Sequence, residues 1–163
     1  MSEFTDKVVI VTGSSSGIGE STAIEFAKQG AKLTICGRNS DALQKVANEI
    51  KQISNQEPLQ IIGDIADESI QDKIINDTIA EFDRLDVLVN NAGIGSKFDR
   101  IDNPQVMQGF DEVYNVNVRA PFRLTHLAVP HLEKTKGNIV NISSIAAIHP
   151  VRNIEYKFYI FFI

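Results

Sequence analysis

The strongest chemical signal in the chain is a run of glycines in Thr12-Gly13-Ser14-Ser15-Ser16-Gly17-Ile18-Gly19. It follows the β-branched run Lys7-Val8-Val9-Ile10-Val11 and precedes a stretch with helical periodicity. Gly13 permits a tight turn, Gly17 lets backbone approach a diphosphate, and Gly19 lets a helix pack close to a strand. The N–H groups at the start of the following helix carry partial positive charge and face the same point. Ser15, Ser16 and Ile18, interleaved with the glycines, are further candidate contacts. A P-loop is excluded, because Glu20 and Ser21 follow Gly19 where Lys and Ser or Thr would be required. The chemistry predicted is therefore the cradling of a dinucleotide's diphosphate. The histidines add none: His126 and His131 are expected to flank a helix end, and His149 to sit in a loop. The single cysteine, Cys36, excludes a disulfide framework and a cysteine metal site, and reads as a small buried hydrophobe.

These residues need elements to position them. Apolar strands alternate with amphipathic helices along the chain. Strands are predicted at Lys7–Val11, Lys32–Cys36, Leu59–Ile62, Val87–Val89 and Asn138–Ile142. Helices are predicted at Gly17–Gln29, from an N-cap at Ser40 to Gln52, at Ser69–Phe82, and from Pro104 to about Leu132, bent near Pro121 and Pro130. Short connections between alternating elements imply βαβ units and a parallel sheet. The expected fold is α/β, a doubly wound Rossmann sheet of order 3-2-1-4-5, with the first two helices on one face and the later two on the other.

Bulk properties are those of one globular domain: 163 residues, 43% hydrophobic and 23% charged. A net charge of -5 gives no electrostatic reason to bind nucleic acid or an anionic membrane. No apolar run reaches the roughly 18 residues needed to span a bilayer. The opening Met1-Ser2-Glu3-Phe4 lacks a signal-peptide pattern, so a cytoplasmic location is the default expectation.

The glycine turn resembles that of the short-chain dehydrogenase/reductase family, Thr-Gly-x-x-x-Gly-x-Gly. Asn90-Asn91-Ala92-Gly93 after the fourth strand, Asn117 on the long helix and Asn141-Ile142-Ser143-Ser144 after the fifth match the family in the same order. The resemblance implies an NAD(P)-dependent oxidoreductase that moves hydride between nicotinamide and a small-molecule carbonyl or alcohol. It places Asp64 on the adenine amino group with the Ile65 backbone beside it; the other reading of Asp64 is a cap or turn aspartate. Asn91, Ala92 and Gly93 join the cofactor contacts, with Ala92 and Gly93 leaving room. Ser144 matches the serine that bonds the reacting carbonyl. Asn117 either holds a proton-relay water, as in the family, or is a satisfied buried amide. After the second strand Gly37 offers no repulsive carboxylate, and Arg38 can fork onto a 2′-phosphate, which favours NADP(H) over NAD(H). The family's long helix often lies at a subunit interface, so a homo-oligomer or pairing with a full-length relative is a further expectation.

One part of the pattern is broken. The family's acid/base is a tyrosine about thirteen residues after the serine, with a lysine one helical turn further on to stabilise the phenolate. Counting from Ser144 reaches Lys157, and no Tyr-x-x-x-Lys occurs among the 163 residues. Aromatic residues crowd into Tyr156-Lys157-Phe158-Tyr159-Ile160-Phe161-Phe162-Ile163 instead. Residues 1–156 therefore read as the Rossmann domain and 157–163 as a divergent apolar tail, with a C-terminally truncated, catalytically incompetent member the leading expectation. A non-catalytic dinucleotide-binding or interaction module, or a truncated isoform or gene-model fragment, is the alternative. About half of the apolar side chains of the fourth and fifth strands are expected to lie bare.

Overall fold

The computed structural model describes residues 3–95 and 102–144. The tail 157–163 and His149 lie outside them. The elements are β1 (Val8–Thr12), α1 (Gly17–Lys28), β2 (Lys32–Gly37), α2 (Ser40–Ser54), β3 (Leu59–Ile62), α3 (Glu68–Phe82), β4 (Val87–Asn90), α4 (Val106–Tyr114), a π-helical turn (Asn115–Arg119), α5 (Ala120–Thr135) and β5 (Asn138–Asn141). The five strands form a sheet of order β3-β2-β1-β4-β5, parallel throughout, as the alternation predicted.

The pleat explains the two cores. Alternate residues of a strand point to opposite faces. Val9, Val11, Leu33, Ile35, Val87 and Val89 pack with Ala23 and Ala27 of α1 and Leu43, Val46, Ala47 and Ile50 of α2. Val8, Ile10, Cys36, Ile61 and Leu88 pack with Ile74 and Ile75 of α3 and Leu124, Ala128 and Leu132 of α5. β1 is covered on both faces, which is why its sequence is apolar without alternation. Each fully buried Ile or Leu contributes about 1.5–3 kcal/mol, so the two layers hold the sheet rigid under the site.

Four expectations need correction. α2 is capped by Asn39, whose Oδ1 accepts from the Ala42 N–H at 3.0 Å, so Ser40 is already helical. The bend near Pro121 is a π turn: Ala120 N–H donates back to the Asn115 carbonyl, because Pro121 has no N–H to offer the carbonyl of Asn117. His126 and His131 both lie inside α5. β4 is buried along its whole length, with Val87 and Val89 part of the core cluster that also holds residues of β1, β2, α1 and α2. Of the apolar residues of these two strands and their ends, the exposed ones are Ile139 and Val140 of β5 and Ile142 just after it, at 36–41%. Among the described residues, no helix is long and apolar enough to cross a membrane.

Candidate functional site

The chain order reverses beside β1, whose neighbours are β2 and β4, so a crevice opens past the C-terminal ends of β1 and β4. The glycine turn closes its floor. Gly13 has φ +67°, and a Cβ there would come 2.9 Å from the Ala92 Cα. At Gly19 a Cβ would collide with the Gly13 carbonyl oxygen and the Asn91 amide. Helix α1 therefore approaches the turn as closely as it does only without a side chain there. Gly17 is different: nothing lies within 4 Å of its absent Cβ, so it borders open space.

Ser16 occupies the N-cap of α1, yet its side chain makes no capping bond. The first N–H groups of the helix, which have no intrahelical acceptor, thus face the crevice without a side-chain oxygen in front of them. That arrangement suits an anion.

A hydrogen-bond frame holds the turn against β4. Thr12 Oγ1 accepts from the Asn91 and Ala92 N–H groups, both at 2.9 Å, and donates to the Val89 carbonyl at 3.3 Å. The Asn91 side-chain amide donates to the carbonyls of Thr12 and Gly13 at 2.8 and 3.3 Å. Ser14 is fully buried, donates to the Val11 carbonyl at 2.6 Å and accepts from the Cys36 N–H at 3.1 Å. Asn90 is turned inward, its amide donating to Asn141 Oδ1 at 2.9 Å, while its own Oδ1 is buried without a partner among the described residues.

Above this floor lies a cleft of about 340 Å³, within the range of small-molecule sites. Of the sequence candidates, Gly13, Ser15, Ser16, Ile18, Arg38, Asp64, Ile65, Asn91, Ala92 and Gly93 line it. Gly17 and Gly19 shape the turn without lining it. Arg38 and Asp64 face each other loosely at the mouth, 3.8 Å apart and both exposed. Asp64 also accepts from the Ala66 N–H at 2.9 Å, the turn role weighed for it. Cys36 lines the inner wall, and burial pushes its thiol up to about 12, so it is an uncharged packing group at neutral pH.

Asn117 and Ser144 do not line the cleft. Asn117 sits in the π turn, and its amide makes a two-point contact with Ile94: Oδ1 accepts from the Ile94 N–H and Nδ2 donates to the Ile94 carbonyl, both at 2.9 Å. The satisfied-amide reading describes these contacts. Ser144 is exposed beyond β5. Sequence reasoning named Thr12 only as the start of the glycine motif and gave no role to Gly63, Ile70, Ile94 and Val116, which also line the cleft and carry no local signal.

This floor, helix terminus and cleft define a dinucleotide-fold protein of the doubly wound class, and comparison with known proteins is specific. Residues 7–157 match the family described as short chain dehydrogenase, and the chain belongs to that family. It is 41% identical over 148 residues to 11-beta-hydroxysteroid dehydrogenase-like 2 of Arabidopsis thaliana, covering 91% of this chain and 48% of that protein. Among solved structures it is similar to L-sorbose reductase from Gluconobacter frateurii complexed with NADPH and L-sorbose, with TM-score 0.85 and 31% identity over 94% of this chain and 58% of that one. It is also similar to 7 alpha-hydroxysteroid dehydrogenase complexed with NADH and 7-oxo glycochenodeoxycholic acid, with TM-score 0.83 and 35% identity over 93% and 57% of the two chains. The chain thus spans about half the length of the relatives it matches.

Proposed function

We propose that this chain binds a nicotinamide dinucleotide, NADP(H) in preference to NAD(H), in the manner of an oxidoreductase acting on a small carbonyl or alcohol. The observation that carries the reading is the uncapped start of α1 above Gly13 and Gly17, opening into the cleft. The nicotinamide, when bound, supplies or accepts the hydride. The chain's own residues do the rest. The N–H groups after Ser16 hold the diphosphate, Asp64 and Ile65 the adenine end, and Arg38 a 2′-phosphate. Arg38 already faces a carboxylate at 3.8 Å. A phosphate with about −1.5 to −2 charge competes well for that guanidinium. Both NADPH and NADH occur in the similar structures, so the preference rests on Arg38 and Gly37 alone.

Proton transfer is the part these residues lack. Ser144 can hydrogen-bond a carbonyl and Asn117 can order the loop at Ile94, but no Tyr-x-x-x-Lys pair is available to move the proton. The 163-residue chain is expected to bind NADPH more tightly than NADH and to turn over neither with carbonyl substrates. Titration followed by NADPH fluorescence, beside a 340 nm turnover assay, tests both halves. Absence of any binding defeats the site assignment, and robust NADPH oxidation by the chain alone defeats the account of its chemistry.

A further inference from the structure

Gln71, in the first turn of α3, is buried to 1% exposure on a face it shares with Ile74, Ile75 and Thr78. A buried amide must find partners or destabilise the fold. Its Nε2 folds back to donate to the Ile65 carbonyl at 2.7 Å. Its Oε1 accepts from Arg123 Nη1 at 3.3 Å, across from α5. Arg123 is itself fixed by a two-oxygen contact to Asp72 at 2.9 and 3.1 Å and by the Glu68 carbonyl at 3.2 Å. A rigid chain of contacts therefore runs from α5 through Gln71 to a residue that lines the cleft.

Its effect on the Ile65 segment is specific. Asp64 Oδ1 takes the Ala66 N–H, the Asp64 carbonyl takes the Asp67 N–H, and Gln71 takes the Ile65 carbonyl. The Ile65 N–H makes no hydrogen bond to any described residue. With the neighbouring groups occupied, Ile65 offers one main-chain donor beside one acceptor, the Asp64 carboxylate.

We propose that Gln71, clamped by Arg123, is a positioning residue for base recognition: by holding the Ile65 carbonyl it fixes the main chain on one side of Ile65, while the Asp64 carbonyl bond to Asp67 fixes the peptide that carries the Ile65 N–H on the other, so that this N–H and the Asp64 carboxylate together read a donor–acceptor edge, that of adenine. This rests on the reading of the cleft as a dinucleotide site with its adenine end at Asp64 and Ile65. Adenine presents an amino donor beside a ring-nitrogen acceptor, whereas hypoxanthine presents a carbonyl acceptor beside an N–H donor. The pair at Asp64 and Ile65 fits the first and opposes the second.

The test is fluorescence titration of the 163-residue chain with NADPH and with its reduced hypoxanthine analogue, for wild type, Gln71→Met and Gln71→Glu. Methionine keeps the shape without the polar groups. Glutamate keeps the Arg123 contact but cannot donate to Ile65 while ionised, and so serves if the methionine variant does not fold. Wild type is expected to prefer adenine, and each variant to lose roughly three- to tenfold of NADPH affinity, the yield of one hydrogen bond. Affinity for the hypoxanthine analogue should hold nearly constant, so the preference shrinks. Equal weakening toward both dinucleotides marks general loosening and overturns the proposal, as does no change toward either. Wild type that binds neither dinucleotide overturns the cofactor reading itself, and this inference with it.

Discussion

Gly19 shows how much a missing methyl group decides. Its place in the glycine turn was legible, but the two groups that exclude a side chain there come from separate parts of the chain: the Gly13 carbonyl and the Asn91 amide. Gly19→Ala would force the turn, Asn91 or both to shift. The expected outcome is a loss of about 1–3 kcal/mol in urea unfolding, together with weakened NADPH binding, because the displaced turn carries the N–H groups of α1. Wild-type stability in the variant would remove the close-packing account. The candidate residues of the turn were readable for a simple reason. Glycines between a β-branched run and a helical period are local features, and local features survive in a linear sequence. Gln71 was unreadable for the opposite reason. It scans as an ordinary polar position on a helix, and only folding puts Ile65 and Arg123 at its two ends.

At the level of elements, the long helix is the least sequence-like part of the fold. Pro121 predicted a bend. The structure answers with a π turn that places Asn117 against Ile94 rather than leaving a plain kink. Removing that amide tests whether the turn holds the cleft wall. Asn117→Ala leaves the Ile94 N–H and carbonyl without this partner, and amide exchange at Ile94 should quicken by about tenfold or more. The Leu88 amide in the centre of β4 should be unaffected. Unchanged exchange at Ile94 would show that the loop is held by other means. α5, which continues from the π turn, reaches the opposite wall through Arg123 and Gln71, so the turn and the helix together support both sides of the cleft. Helix periods and strand positions were read to within a few residues, because apolar stripes record which face is buried. The cap at Asn39 and the full burial of β4 were not, because each depends on what packs alongside.

Across the whole molecule, the end of the sheet opposite the cleft is tied by Asp86. Its carboxylate accepts from the Val8 N–H at 2.9 Å, from Arg84 at 2.7 and 2.8 Å and from Lys7 at 3.2 Å. Burial acts to raise this carboxyl, but the hydrogen bonds from Arg84, Val8 and Lys7 outweigh it and hold it below its ordinary range. A carboxylate depressed in the folded state stabilises above its unfolded pKa, about 3.9, and loses that contribution as pH falls through the folded value. Asp86→Asn is expected to cost about 1–3 kcal/mol at pH 7. The smaller end applies because Lys7 and Arg84 are 42% and 39% exposed and screened by solvent. The gap between wild type and variant in urea midpoint should stay level from pH 7 to about 5 and narrow below about 4. A constant gap down to pH 3 would mean that the charge of Asp86 carries none of the effect.

By itself the sequence determined the strand and helix order, the sheet order it implies, and the glycine turn with its family likeness. All of these are written in residue type and near-neighbour spacing. Tertiary structure alone decided that Asn91 and Thr12 lace the turn to β4, that Gln71 and Arg123 hold Ile65, that Asn117 is committed to Ile94, and that Asp86 gathers Lys7, Val8 and Arg84. Those contacts join groups far apart along the chain, and a hydrogen bond depends on distance and angle in space, which sequence separation does not encode.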